Sequence, residues 1–512
     1  MATGVLLLAC CLACVPKQTE QETLQRSSPE KEGMRTVGIL RFLEEVKTKG
    51  IDMHSLMILR RGKVITEGWW YPYRANYRQI MHSVSKTFTS TAIGFAVSEN
   101  LLSVDDKVIS FFPNDLPAER SPYLEELTVK HLLTMSVGQD PAPVFPLSDK
   151  NWVRRFLATP IVHKPGTVFL YSSYASHILS AIIGKVSGQT MFEYLQTRLL
   201  EPLNITDIQW EVDAEGNNMG GWGMRIRTED MARLGLFYLQ QGRWGGRQLL
   251  PKEWIQEASA PHIFQGDSLT LEEELTDNWA QGYGYQIWRC TNNAYRADGA
   301  NGQFIIVMPE QEAVVVITEN TGDTRQVLRL VFEHLQPVMT QGEYATRQED
   351  REALSSMLSA LAVPDPFRTD EALEAPKNSA RSYALEANDQ QLQTLSLAFK
   401  ATGDMQLTIA DTSGHSYSFP FGADRWQYGE TPKPSPYFLN PRRNPEGLLP
   451  CATAGYGSWT AKDQLKLRLL YLEDYQEETY VFRFEEDRVE IDLSNSNSAT
   501  PLAPLLLRGR LI

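Results

Sequence analysis

Ser83-Val84-Ser85-Lys86 places an alcohol and an amine three positions apart, at the head of an apolar stretch spanning residues 88–97. Phe88, Ala92, Phe95 and Ala96 recur at helical spacing, which predicts a helix with one apolar face. Residues three apart are neighbours on a helix surface, so Lys86 is expected one turn beyond Ser83 on the same side. Ser83 then stands at the helix N-terminus, where free N–H groups favour developing negative charge. A lysine of ordinary pKa is charged at neutral pH and accepts no proton. Burial lowers that pKa towards about 7–8, where a general base works best. The chemistry suggested is attack of an activated serine on a carbonyl carbon. The spacing by itself is weak, because Ser28-Pro29-Glu30-Lys31 repeats it in a polar, proline-containing segment and reads as a decoy. Taken alone, Ser83 is better explained as an ordinary helix start.

Its context changes that reading. The run 54–65, a hairpin around Gly62, the tetrad at Ser83, and Leu127-Thr128-Val129-Lys130-His131-Leu132-Leu133-Thr134-Met135-Ser136 together resemble the serine β-lactamase and penicillin-binding-protein superfamily. The branch they resemble is the class-C-like one of esterases and amide hydrolases. Pro165-Gly166 followed by Tyr171-Ser172-Ser173 is similar to the family's second motif, a Tyr-x-Asn behind a Pro-Gly turn. Residues 220–230 and 242–251 resemble further stretches of this branch, and the likeness runs over 24–341 in the family's order.

The resemblance implies an acyl-enzyme on Ser83, with Lys86 and Tyr171 sharing the proton transfers. It implies a small ester or amide as substrate and no cofactor. Tyr174, with Ser176 two residues on, repeats the local pattern, but Tyr171 lies at the family's distance from Pro165-Gly166. Ser173 stands where the family usually has asparagine; its hydroxyl can bond the lysine or substrate but lacks the amide's paired donor and acceptor. The third motif departs most. Where penicillin-recognising members carry Lys-Thr-Gly, this chain reads Ala297-Asp298-Gly299-Ala300-Asn301-Gly302. Gly299 is expected to keep the backbone open to a substrate, and the Ala300 N–H to join that of Ser83 as an oxyanion hole. Such donors are worth roughly 3–4 kcal/mol in the transition state. The cation that would hold a β-lactam or D-alanyl carboxylate is missing, and Arg289 and Arg296 are expected to be solvated surface charges. This argues against a proficient β-lactamase or D-Ala-D-Ala peptidase. Two rivals stand beside the ester or amide hydrolase: a hydrolase of linear amides or peptidoglycan peptides, and a non-catalytic envelope binding protein on the same fold.

Other chemistry finds no support in the sequence. There is no Gly-x-Ser-x-Gly elbow, no His-Glu-x-x-His and no Walker-type loop. The eight histidines are dispersed without ligand spacing. His82 is expected to be a packed helix-start residue and not a base. A formal net charge of −14 with no basic stripe makes nucleic acid an improbable partner. Cys290 and Cys451 allow at most one bridge.

The elements that must position these residues follow from the pattern of the chain. Residues 1–22 read as a lipoprotein-type signal and tether, since Leu7-Leu8-Ala9-Cys10 and Cys11-Leu12-Ala13-Cys14 both resemble a bacterial lipobox. The implied location is a bacterial cell envelope, with a lipid anchor on Cys14 or Cys10. Residues 23–341 are expected to form the hydrolase domain. Its parts are a first helix with Val37, Leu40 and Leu43 inward, a hairpin at Gly62, and a largely helical region to about 260. An acidic solvated loop at 266–277, a strand-like run at 282–289 and a hairpin of strands 303–308 and 313–318 follow. A last helix turns Val327, Leu330, Val331 and Leu335 inward. The fold class is α/β (α+β), of the β-lactamase/transpeptidase type, with an antiparallel sheet flanked by helices. A charged helical linker, 342–364, leads to a C-terminal all-β domain, 365–512, in which Leu465-Lys466-Leu467-Arg468-Leu469 alternates as a half-buried strand does.

Overall fold

Strands Met53–Arg60 and Lys63–Trp69 pair through a two-residue turn, in which Arg61 and Gly62 have φ of 49° and 79°. Positive φ at both central residues matches the twist of a tight hairpin, and glycine takes it without strain. The computed structural model describes residues 23–512 except 147–148, 267–269, 271, 273–275, 365–366, 368–376, 378, 436–449 and 497–504. The candidate lipid-anchor cysteines, Cys10 and Cys14, and part of the acidic loop lie outside the described residues. Among those residues, no helix is long and apolar enough to cross a membrane.

The hairpin forms one edge of a six-stranded antiparallel sheet. From that edge the order is Lys63–Trp69, Met53–Arg60, Ala313–Glu319, Gln303–Met308, Tyr295–Gly299 and Trp288–Arg289. Side chains alternate between two cores. Met57, Leu59, Ile305, Val307, Val314 and Val316 face the helical region, while Leu56, Ile58, Phe304, Ile306, Val315 and Ile317 face the first and last helices. Both faces are covered, which is why the central strands read as continuous apolar runs.

The last helix, Thr324–Leu330 with its continuation Val331–Leu335, buries Val327, Leu330, Val331 and Leu335 as expected. In the first helix, Thr36–Thr48, the buried stripe is Ile39, Phe42, Leu43 and Val46, at i, i+3, i+4 and i+7. Val37 is exposed and Leu40 half-buried, so the expected stripe is corrected by a rotation. The run 282–289 is also corrected: only Trp288–Arg289 is strand. Gly282 (φ 97°) and Gln286 (φ 62°) turn the backbone. The Gln286 amide is pulled inward, where it donates to the carbonyls of Leu132 and Leu133 and accepts from Ser176.

Beyond helix Gln348–Ser359, ten strands from Ser379–Leu385 to Leu505–Leu511 form one sheet. Parallel pairing of Gly422 with Tyr456 and of Ala423 with Gly457 links Ser416–Ala423 to Cys451–Ala461 and closes the sheet into a barrel. Leu395, Leu397, Phe419, Phe421, Leu467 and Phe482 fill its interior. Its outer side is not free: Trp426, Ala454, Tyr456, Leu470 and Leu472 belong to the same core as the first helix. Cys290 and Cys451 are both buried and are not joined to each other, so the single bridge that the sequence allowed is absent.

Candidate active site

The chain reaches Ser83 along the short strand Gln79–Ile80, which pairs with Met224–Ile226, and the Met81 N–H donates to the Met224 carbonyl at 2.8 Å. His82 then adopts φ 44°, a conformation that a residue with a Cβ rarely takes. Ser83 follows within a 3₁₀ turn, His82–Val84, and the α-helix proper is Ser85–Ser98. Lys86 therefore lies one turn on from Ser83, as the spacing suggested. The helix is buried nearly all round and not on one face alone. Two of its threonines find partners inside: Thr89 donates to the Gly220 carbonyl at 2.7 Å, and the Thr91 and Tyr238 hydroxyls meet at 2.8 Å.

Lys86 is 1% exposed. Its ammonium donates to Ser83 Oγ at 2.9 Å, Ser173 Oγ at 3.1 Å and the Gly221 carbonyl at 2.6 Å. No carboxylate is among those three partners, so burial dominates and pushes the amine down to about 7, with the Asp298 carboxylate opposing. When the amine is neutral, the same 2.9 Å contact lets Ser83 donate its proton to Nζ.

The Tyr171 ring faces the same pair, with its centroid 4.8 Å from Lys86 Nζ. Burial raises its pKa well above the ordinary phenol value, with the neighbouring Ser83 hydroxyl opposing. Tyr174 points elsewhere: it donates to the Phe145 carbonyl and packs on Phe145, Trp152 and Trp222. Ser173 is the first residue of helix Ser173–Ser187, which Ser172 caps by accepting from the Ala175 N–H at 3.2 Å. Two glycines bring the opposing backbone close enough for Lys86 to reach it. A Cβ on Gly221 would lie 2.5 Å from the Ser173 carbonyl oxygen, and one on Gly220 would lie 2.2 Å from that of Ser176.

The strand Tyr295–Gly299 packs across the same corner. A Cβ on Gly299 would fall 2.4 Å from the Met81 carbonyl oxygen. Gly299 is thus bare because the nucleophile segment presses on it, which corrects the expectation that it keeps the backbone open to a substrate. Ala300 is exposed in the turn that follows, where Asn301 (φ 62°) and Gly302 (φ 88°) reverse the chain.

The two arginines near this strand are corrected as well. Arg296 is fully buried: it pairs with Asp298 at 2.7 Å, donates to the Asn278 carbonyl at 2.6 Å and lies over Trp279 and Trp288. Arg289 is half-buried and donates to the Ser259 carbonyl and Asn293. Arg296 is therefore not a solvated charge, and Arg289 is only partly so, half-covered and held by its two hydrogen bonds. Burial pushes the Asp298 carboxyl up, while Arg296 and Lys86 pull it down.

Sequence reasoning missed three features. The Arg296–Asp298 pair is one, and the Gly221 carbonyl on Lys86 is another. The third is an aromatic wall of Phe169, Tyr171, Tyr283 and Trp288, with ring centroids 5.1–6.5 Å apart. The concentration of tyrosine and tryptophan at 283–288 was its only signal.

A family model described as Beta-lactamase matches residues 41–334, more than half of the chain. The chain belongs to the β-lactamase family. Among its relatives is a protein named 6-aminohexanoate-dimer hydrolase from Paenarthrobacter ureafaciens, 24% identical over 285 residues, which are 51% of this chain and 71% of that one. A protein named Beta-lactamase from Escherichia coli is 25% identical over 193 residues, 36% of this chain and 49% of its own length. The octameric penicillin-binding protein homologue from Pyrococcus abyssi superposes with a TM-score of 0.46 at 18% identity, covering 92% of this chain and 99% of that one. As a β-lactamase-family chain, this protein thus sits among relatives named as hydrolases, at low identity.

Proposed function

We propose that the protein is a serine hydrolase that cleaves an ester or amide through an acyl-enzyme on Ser83. The observation that carries this reading is the contact of a buried lysine, with its pKa lowered to about 7, on the Ser83 hydroxyl at 2.9 Å. Of the two proton-handling groups, Lys86 is suited to accept and Tyr171 to donate, because burial lowers the amine and raises the phenol. Neutral Lys86 takes the Ser83 proton as Oγ bonds to the carbonyl carbon. The N–H groups of Ser83 and Ala300 hold the oxyanion. Collapse breaks the bond to the leaving group, which takes a proton relayed from Lys86 through Tyr171. Water then adds to the acyl carbon and gives its proton to Lys86 along the same path; the bond to Ser83 Oγ breaks, Oγ takes that proton back from Lys86, and the free acid is released. Ser173 holds Lys86 in place.

The substrate in this reading is small and lacks a carboxylate at the third-motif strand. Ala297 offers no cation there, and Arg296 is committed to Asp298. A hydrolase of linear amides, as the Paenarthrobacter relative is named, is the rival reading; a 6-aminohexanoate dimer ends in a carboxylate, which an element other than this strand would have to hold. The test is turnover of p-nitrophenyl butyrate beside a chromogenic cephalosporin. Ester turnover that Ser83→Ala abolishes, with little cephalosporin cleavage, is the expected result. Absence of turnover on esters and linear amides alike would favour a binding protein on this fold. We also propose lipid attachment at Cys14 or Cys10 in a bacterial envelope. Incorporation of labelled palmitate into the full chain, lost in the corresponding cysteine-to-serine variant, tests that point.

A further inference from the structure

The barrel reaches the back of the nucleophile corner through the turn between its strands Gln464–Tyr471 and Glu477–Phe484. Four contacts are made there. Gln79 Nε2 donates to the Leu472 carbonyl at 2.5 Å. Arg78 bridges Asp207 at 2.7 Å and Glu473 at 2.6 Å. Arg225, itself 1% exposed, pairs with Glu211 at 2.8 Å and Asp474 at 2.7 Å, and Asp474 also accepts from Ser435. The Tyr475 ring lies 5.0 Å from that of His82.

These contacts are placed where the reacting pair is fixed. Arg78, Gln79 and His82 are within five residues of Ser83, and Arg225 follows the Met224 carbonyl to which Met81 donates. The other end of the pair depends on the same segment, because Lys86 donates to the Gly221 carbonyl four residues before Arg225. His82 holds a left-handed backbone conformation, which persists only when the surroundings over-determine it. It is buried and kept neutral by that burial, and the Tyr475 ring packs beside it. Adhesion alone needs none of this. The apolar surface of Trp426, Tyr456, Leu470 and Leu472 already joins the barrel to the body, and burying an ion pair costs desolvation that apolar contact avoids.

We infer that the barrel is part of the active-site scaffold. Tyr475 and Asp474 act as positioning residues, holding His82 and the strand Met224–Ile226 so that Ser83 Oγ meets Lys86 Nζ. The inference rests on the proposed acyl-enzyme reading for its catalytic consequence.

The test uses the full chain and four variants: Tyr475→Leu, Asp474→Asn, Tyr475→Phe and Leu467→Ala. The last loosens the barrel interior without touching the turn. Each is measured for the maximal rate and half-saturating concentration of fluorophosphonate labelling, for thermal midpoint, and for amide hydrogen exchange over residues 78–86. Tyr475→Leu and Asp474→Asn are expected to lower the maximal labelling rate by roughly tenfold or more, since small misplacements of reacting groups are costly. The half-saturating concentration should stay within about twofold, and exchange at 78–86 should rise. Tyr475→Phe should restore both, and Leu467→Ala should lower the midpoint while leaving both near wild type. Unchanged labelling and exchange in the two turn variants overturn the inference, as does an equal effect from Leu467→Ala. If the wild type takes no label, the acyl-enzyme reading fails, and the exchange comparison alone decides whether the turn orders the corner.

Discussion

On one side of the site, Ser83, Lys86, Tyr171 and Ser173 converge from two helix starts: Lys86 donates to both serines, and the Tyr171 ring lies 4.8 Å from its Nζ. On the facing wall, the strand Tyr295–Gly299 and its turn offer a glycine pressed against Met81, an exposed alanine, and an arginine locked to its own neighbour. The first wall is arranged to move a proton. The second has no free cation with which to grip a carboxylate. In the proposed reading, the means of activating a serine and the means of choosing a substrate are therefore carried by different elements, and one can differ from the family pattern while the other follows it.

The sharpest way to break this comparison is to disarm the first wall. Lys86→Met should lower ester turnover by about 10²–10⁴-fold, the range for loss of a positioned general base. Wild-type turnover should rise with pH through about 7 and then level, because the amine must be neutral to accept the Ser83 proton. The Tyr171 phenol, raised by burial, stays protonated across that window. A profile that falls as pH rises through 7 would mean that the charged amine is the active form.

Disturbing the second wall should cost stability before activity. Asp298→Asn leaves Arg296 buried without its carboxylate, and a loss of about 3–5 kcal/mol is expected, read as a lower midpoint in chemical denaturation. The fraction still folded should retain most of its ester turnover. The smallest effect belongs to Ser173→Ala, which removes one of three acceptors on Lys86. A hydrogen bond of that kind is worth about 1.5–3 kcal/mol, and part of it is recovered by water, so a loss near tenfold or below is expected. A larger loss would make Ser173 a participant in the proton transfers.

The first wall was largely legible in the sequence because its geometry is local. Spacing on one helix puts Lys86 beside Ser83, and a Pro-Gly turn at a fixed distance separates Tyr171 from the core tyrosine Tyr174. The sheet was legible for a similar reason, since strands buried on both faces leave unbroken apolar runs. What was not legible depends on pairings across long separations. Nothing in Ala297-Asp298 tells that Arg296 turns inward between two tryptophans, and a Gly-Gly at 220–221 does not announce which carbonyl reaches Lys86. The barrel shows the same limit. A strand such as Gln464–Tyr471 stands out by alternation, but Ser416–Ala423, with a proline and a glycine inside, is fixed by its neighbours and not by its own pattern. The contact of Tyr475 with His82 joins residues almost four hundred positions apart, and no local signal marks either end.

The most direct test of the central claim is intact-mass spectrometry of the chain from Thr23 onward after exposure to a fluorophosphonate, with peptide mapping and Ser83→Ala alongside. The account predicts a single adduct on wild type, mapped to Ser83, formed faster above pH 7 than below it and absent from the variant. An adduct that persists in Ser83→Ala, or no adduct on the wild type at any pH, would contradict it.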